Sequence, residues 1–92
     1  MERIHLVIKG RVQGVFYRKS ATAQAIQLGL TGWVRNRNDG TVELVAEGCR
    51  AQLQQLIDWS WIGPRQSRVT EIEVSWLVAT EILLGFVVRP TE

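Results

Sequence analysis

Cysteine is nearly absent. Cys49 stands alone in 92 residues, which excludes an intramolecular disulfide, a cysteine-rich zinc site and a Cys-x-x-Cys redox pair. A lone thiol points to a reducing compartment, so the expected location is the cytoplasm. Histidine is as scarce, with His5 the single example. No Ser-His-Asp set, paired-carboxylate site or run of metal ligands stands out, and neither a metal nor a cofactor is expected. No apolar stretch approaches the ~18 residues of a membrane span, and no basic-then-apolar leader opens the chain. A membrane is therefore not an expected partner. The net charge of +2 is too small to argue for nucleic acid.

What is present is ordinary globular material, 46% hydrophobic and 22% charged, which excludes a disordered chain. Two cores would not fit, so residues 1–92 are expected to form one domain, monomeric by default. The charge is unevenly placed. Residues 1–37 carry seven basic side chains against Glu2 alone, whereas residues 38–92 carry four against eight acids. The first third of the chain is where an anion belongs.

Ile4, Leu6 and Ile8 alternate with polar neighbours and predict a strand ending at Gly10. A glycine-bearing loop follows, and then Tyr17, Ala21, Ala25 and Leu28 form a helical stripe closed by Gly29. Residues 32–36 and 41–47 predict two strands joined by a turn at Asp39-Gly40. A second helix is expected from about Cys49 to Ile62, with Cys49, Leu53, Leu56, Ile57 and Ser60 on one face and Gly63-Pro64 as its stop. Cys49 then reads as a small buried hydrophobe. Val69–Leu77 and Phe86–Arg89 predict the last strands. The order βαββαβ plus a short fifth strand implies an α+β, ferredoxin-like split βαβ sandwich. Its sheet is expected to be antiparallel, with the third strand between the first two and both helices on one face. The four tryptophans read as core and rim aromatics, and the acids of the later strands as a solvated face.

The loop from Gly10 to Arg18 leads from a strand into a helix, where unpaired backbone N–H groups and the helix dipole make a natural phosphate cradle. Gly14 gives the backbone freedom there, and Arg18 and Lys19 sit in the first turn, where cations oppose the dipole unless an anion binds. A solvated arginine beside an ordinary loop is the competing reading. Two familiar phosphate loops do not fit. A nucleotide P-loop needs contiguous Gly-Lys-Ser/Thr, and a cysteine phosphatase needs a thiolate where Val12 stands.

Gly10-Arg11-Val12-Gln13-Gly14-Val15-Phe16-Tyr17-Arg18 resembles the first signature of the acylphosphatase family, Gly-x-Val-Gln-Gly-Val-x-aromatic-Arg. Gly32-Trp33-Val34-Arg35-Asn36, followed by Gly40-Thr41-Val42 and Gly48, resembles the second with the spacing kept. Gly63-Pro64, Arg68-Val69 and Gly85-Phe86 extend the likeness over essentially the whole chain. Two departures stand out: Arg37 where the family favours a hydroxyl or small residue, and the apolar run Ile82-Leu83-Leu84. Arg37 either adds a charge near the site or points to solvent.

The resemblance implies a hydrolase that splits an acyl phosphate into a carboxylate and inorganic phosphate. It implies that the backbone N–H groups of Gln13, Gly14, Val15, Phe16, Tyr17 and Arg18, with the Arg18 guanidinium, hold the phosphate. Asn36, which by itself reads as a turn residue, would then aim the attacking water. Neither cofactor nor metal is implied, and inorganic phosphate or sulfate would be product-like ligands. Such a site works without a general acid, because a carboxylate leaves without a proton. His5 is expected on the sheet face away from the loop. The alternative is a ferredoxin-like RNA-binding or regulatory module. Strand Thr41–Glu47 argues against it, having no aromatic for base stacking and carrying Glu43 and Glu47. An acylphosphatase-like domain of a hydrogenase maturation factor is a further reading. A chain running from Met1 to Glu92 is expected to stand alone instead.

Overall fold

The computed structural model describes residues 1–79 and 82–92. Its elements in chain order are β1 (Glu2–Arg11), α1 (Tyr17–Gln27), β2 (Thr31–Asn36), β3 (Val42–Gly48), α2 (Arg50–Ile62), β4 (Arg68–Val78) and β5 (Phe86–Val88). They form one five-stranded sheet in the order β4-β1-β3-β2-β5, so β3 does lie between β1 and β2. In β1 the alternation places Ile4, Leu6 and Ile8, all fully buried, opposite Ala46, Leu44 and Val42 of β3. That face receives Tyr17, Ala21 and Ala25 from α1, and Leu53, Leu56 and Ile57 from α2. Removing one such side chain, as in Leu53→Ala, costs about 2–5 kcal/mol through lost burial and the cavity left behind.

Two expectations need correction. The sheet is mixed, because β5 runs parallel to β2, with Val34 beside Val88. β4 stops beside Glu2, at the end of the sheet where β2 starts. A chain crossing there to the far edge must run alongside β2 in the same direction. Cys49 is exposed rather than buried. Helix α2 begins one residue later, and Cys49 precedes it with extended backbone (φ −74°, ψ 146°), which takes it off the apolar stripe. The segment Ile82 to Leu84 has no regular structure, and its Ile82 and Leu84 are exposed.

This topology gathers functional candidates at one end. The carboxyl ends of β1, β2 and β5 meet the amino end of β4 there, and the loop into α1 leaves from the same end. At its root β1 shifts register against β4 between Lys9 and Gly10. A Cβ on Gly10 (φ 123°) would strike the Arg68 carbonyl oxygen, so only glycine permits the close approach.

Candidate active site

The loop starts from buried Val12 and Val15, whose side chains enter the core and leave the backbone between them at the surface. Gly14 has φ 74° with open space where a Cβ would stand, so its backbone angle, not crowding, calls for glycine. Phe16 also lies in the left-handed region, at φ 65°, and heads α1 with no side chain capping the first turn. Tyr17, 1% exposed, anchors that turn by donating its hydroxyl proton to the Ser60 carbonyl oxygen at 2.6 Å. Burial pushes its phenol far above the ordinary value, so Tyr17 stays neutral and acts as a brace. Helix α2 also starts without a side-chain cap, so a bare helix end alone does not mark a site.

What marks the loop is convergence. A cavity of about 490 Å³ is lined by Val12, Gly14, Phe16, Tyr17, Arg18, Lys19, Thr22 and, from the far edge strand, Val88. Arg18 and Lys19 have no carboxylate partner among the described residues, and no acid stands in the first turn of α1. The Thr22 hydroxyl donates to the Arg18 carbonyl oxygen at 2.8 Å, one turn along the same helix face.

Asn36 is the last residue of β2. Its Oδ1 is buried and has no hydrogen-bond partner. A buried amide oxygen left unpaired is costly, and among the described residues Arg37 Nε and Gln52 Oε1 share this state, so the orphan supports a contact only together with its place at the end of β2. Asn36 does not itself line the cavity, but it lies two residues beyond Val34, whose β5 neighbour Val88 does. The Gln13 side chain joins the two parts. Its Nε2 donates to the carbonyl oxygens of Arg37 and Thr41, at 2.8 and 2.9 Å, clamping the loop onto the hairpin immediately after Asn36. Residues near Glu92 hold the strand from the other side, where the Glu92 N–H donates to the Asn36 carbonyl oxygen at 3.2 Å.

Gly14, Phe16, Tyr17 and Arg18 thus share one cavity, and Gln13 ties their loop to the hairpin at Arg37 and Thr41, just after Asn36. Val15 is buried behind the loop, 3% exposed, so only its backbone faces the question of a ligand. Arg37 is not among the residues lining the cavity; its guanidinium lies 3.8 Å from Glu92 and 4.0 Å from Asp39, and its Nε is buried without a hydrogen-bond partner. His5 is on the helix-free face, 2.7 Å from Glu43. Thr22 and Val88 were not singled out in the sequence. The spacing of Thr22 four residues after Arg18 is a usable signal, whereas no sequence feature points to Val88.

The family model for acylphosphatase matches residues 4–88. The chain belongs to the acylphosphatase family. It is 46% identical over 84 residues to the acylphosphatase of Pelotomaculum thermopropionicum, covering 91% of each chain. To that of Methylococcus capsulatus it is 49% identical over 88 residues, covering 96% of each. The crystal structure of acylphosphatase from Bacillus subtilis superposes with a TM-score of 0.94 at 36% identity, covering 97% of this chain and 99% of that one. The α+β, ferredoxin-like architecture is that of the family.

Proposed function

We propose that the loop amides from Gln13 to Arg18, with the Arg18 guanidinium, hold the phosphoryl group of an acyl phosphate while Asn36 orients the attacking water. The reaction is that of the family, in which a small-molecule acyl phosphate is hydrolysed to a carboxylate and inorganic phosphate. The observation that supports the residue assignment is the buried, unpartnered Oδ1 of Asn36 at the end of the sheet from which the loop leaves for an uncapped helix start, where Arg18 has no carboxylate partner among the described residues.

The water oxygen bonds to phosphorus as the phosphorus–carboxylate oxygen bond breaks, and the carboxylate departs with the bonding electrons. Asn36 accepts a hydrogen bond from the water without taking the proton, which passes to the phosphoryl oxygens. Arg18 offers a planar fork to those oxygens, and the loop N–H groups add fixed dipoles where negative charge is concentrated. No acid is needed for a leaving group of low pKa, and His5, paired with Glu43 on the other face, is not placed to supply one. The RNA-binding alternative finds no support, since Glu43 and Glu47 stand on the central strand and carry ion pairs there.

We read residues 1–92 as one domain acting as a monomer, with inorganic phosphate or sulfate as product-like ligands. No described helix is long and apolar enough to cross a membrane. The lone cysteine supports a reducing cytoplasm. The test is an assay of acetyl phosphate against an alkyl phosphate monoester. Cleavage of the first alone is expected; comparable rates on both would require a proton donor that this arrangement lacks.

A further inference from the structure

Phe16 is the single non-glycine residue with positive φ among the described residues. Bulky side chains rarely occupy that region, and a strained residue that persists points to a role beyond packing. Its ring is 73% exposed and stands between two cavities, the one of about 490 Å³ described above and another of about 320 Å³ on its far side. The larger cavity is two-sided in chemistry. Its ionic and hydroxyl side chains, Tyr17, Arg18, Lys19 and Thr22, all come from α1, while Val12, Phe16 and Val88 are apolar. Its volume lies in the range of small-molecule pockets and far exceeds what one phosphate fills.

We infer that the acyl group of the substrate lies against Phe16 and Val88, which selects apolar acyl chains over short or charged ones. This rests on the loop being the phosphate site. With the phosphoryl group at the start of α1, the carboxyl-linked remainder has the apolar side of the same cavity to enter. Val88, 48% exposed on edge strand β5, and the Phe16 ring then bury apolar surface only when substrate is bound. Contact of this kind is made in the ground state and kept through the reaction, so it lowers KM more than it changes kcat.

The experiment compares acetyl, hexanoyl and succinyl phosphate on the parent protein, Val88→Thr and Phe16→Ala. Acetate and hexanoate leave with nearly the same acidity, so their ratio of kcat/KM reads the acyl contact alone. A fully buried methylene is worth about fourfold, and in a half-open cavity the four extra methylenes are expected to give about tenfold in favour of hexanoyl phosphate. Val88→Thr keeps the side-chain shape while adding a hydroxyl, so it reports the apolar contact even if Phe16→Ala folds poorly. In both variants the ratio should fall by about threefold or more, with the change in KM. A parent ratio near one, a ratio that neither variant alters, or a preference for succinyl phosphate that Lys19→Gln abolishes would each overturn the inference while leaving the hydrolysis intact. Hydrolysis of none of the three by the parent would remove the phosphate-site reading itself.

Discussion

The two ends of this protein's cationic inventory are treated in opposite ways. On the helix-free sheet face, Arg3 is paired with Glu47, His5 and Arg35 with Glu43, and Lys9 with Glu71 and Glu73. Glu47 is 2% exposed there, so the later acids are not simply the solvated face their composition suggests. Around the loop, Arg11, Arg18, Lys19, Arg65 and Arg68 have no carboxylate partner among the described residues, and Arg11 even faces Arg68 across the β1–β4 ladder. Paired cations hold the sheet together. Those without a carboxylate partner crowd one end, where their summed field favours an anion from outside. The same residue type therefore contributes stability in one region and binding in the other.

Substitutions on the two sides should separate these roles. The largest effect is expected for Arg18→Gln, which should lower acyl phosphate turnover by about 10²–10³-fold, the usual loss for one charge-stabilising donor, while thermal melting without ligand occurs no earlier than in the parent. Glu47→Gln should do the converse. It replaces a 2% exposed carboxylate that accepts from Arg3 Nε with a neutral amide and should cost about 1–3 kcal/mol of stability by denaturant unfolding, with turnover at parental levels in the folded protein. A loss of activity in Glu47→Gln matching that of Arg18→Gln would break the division.

Gln13→Leu sharpens the comparison at the join. Removing the two hydrogen bonds to the hairpin should lower kcat by about tenfold, less than the roughly 100-fold that misplacement by a full ångström can cost, with inhibition by inorganic phosphate retained. A rise in KM alone would place Gln13 in binding instead. The smallest effect concerns pH. Burial alone would push the Glu43 carboxyl up, but hydrogen bonds from His5 and Arg35 bring it below the ordinary value. Lys9 does the same for exposed Glu73, and Thr41 for Asp39. Carboxylates lowered in the folded state stabilise it above their unfolded pKa, and that contribution is lost as pH falls through the folded value. Melting temperatures should be level from neutrality down to about pH 5 and decline below about pH 4, a decline that Glu43→Gln should lessen.

Much of the fold is legible in the residues because alternation and stripes are physical requirements. Ile4, Leu6 and Ile8 had to share a face, and Asp39-Gly40 had to turn between two strands that end up paired. Strand direction is not periodic, so nothing in Phe86–Val88 announces that β5 is parallel to β2. Cys49 fits the spacing of the α2 stripe, and only the helix start, one residue later, removes it. At the site, Arg18 stands out as a cation in the first turn of α1, whereas Asn36, which by itself reads as a turn residue, is picked out only by the family resemblance. The Gln13 clamp depends on how a loop meets a hairpin 24 and 28 residues away, which no local pattern encodes. The contribution of Val88 depends on sheet order in the same way.

The division between holding phosphate and aiming water is tested most directly by Asn36→Ala, measured twice on one preparation. Acyl phosphate hydrolysis should fall by about 100-fold or more, while inorganic phosphate still raises the melting temperature as in the parent. That stabilisation is worth about 2.7 kcal/mol at a hundredfold excess over its dissociation constant. Near-parental turnover, or loss of the phosphate stabilisation together with activity, would contradict the separate role assigned to Asn36.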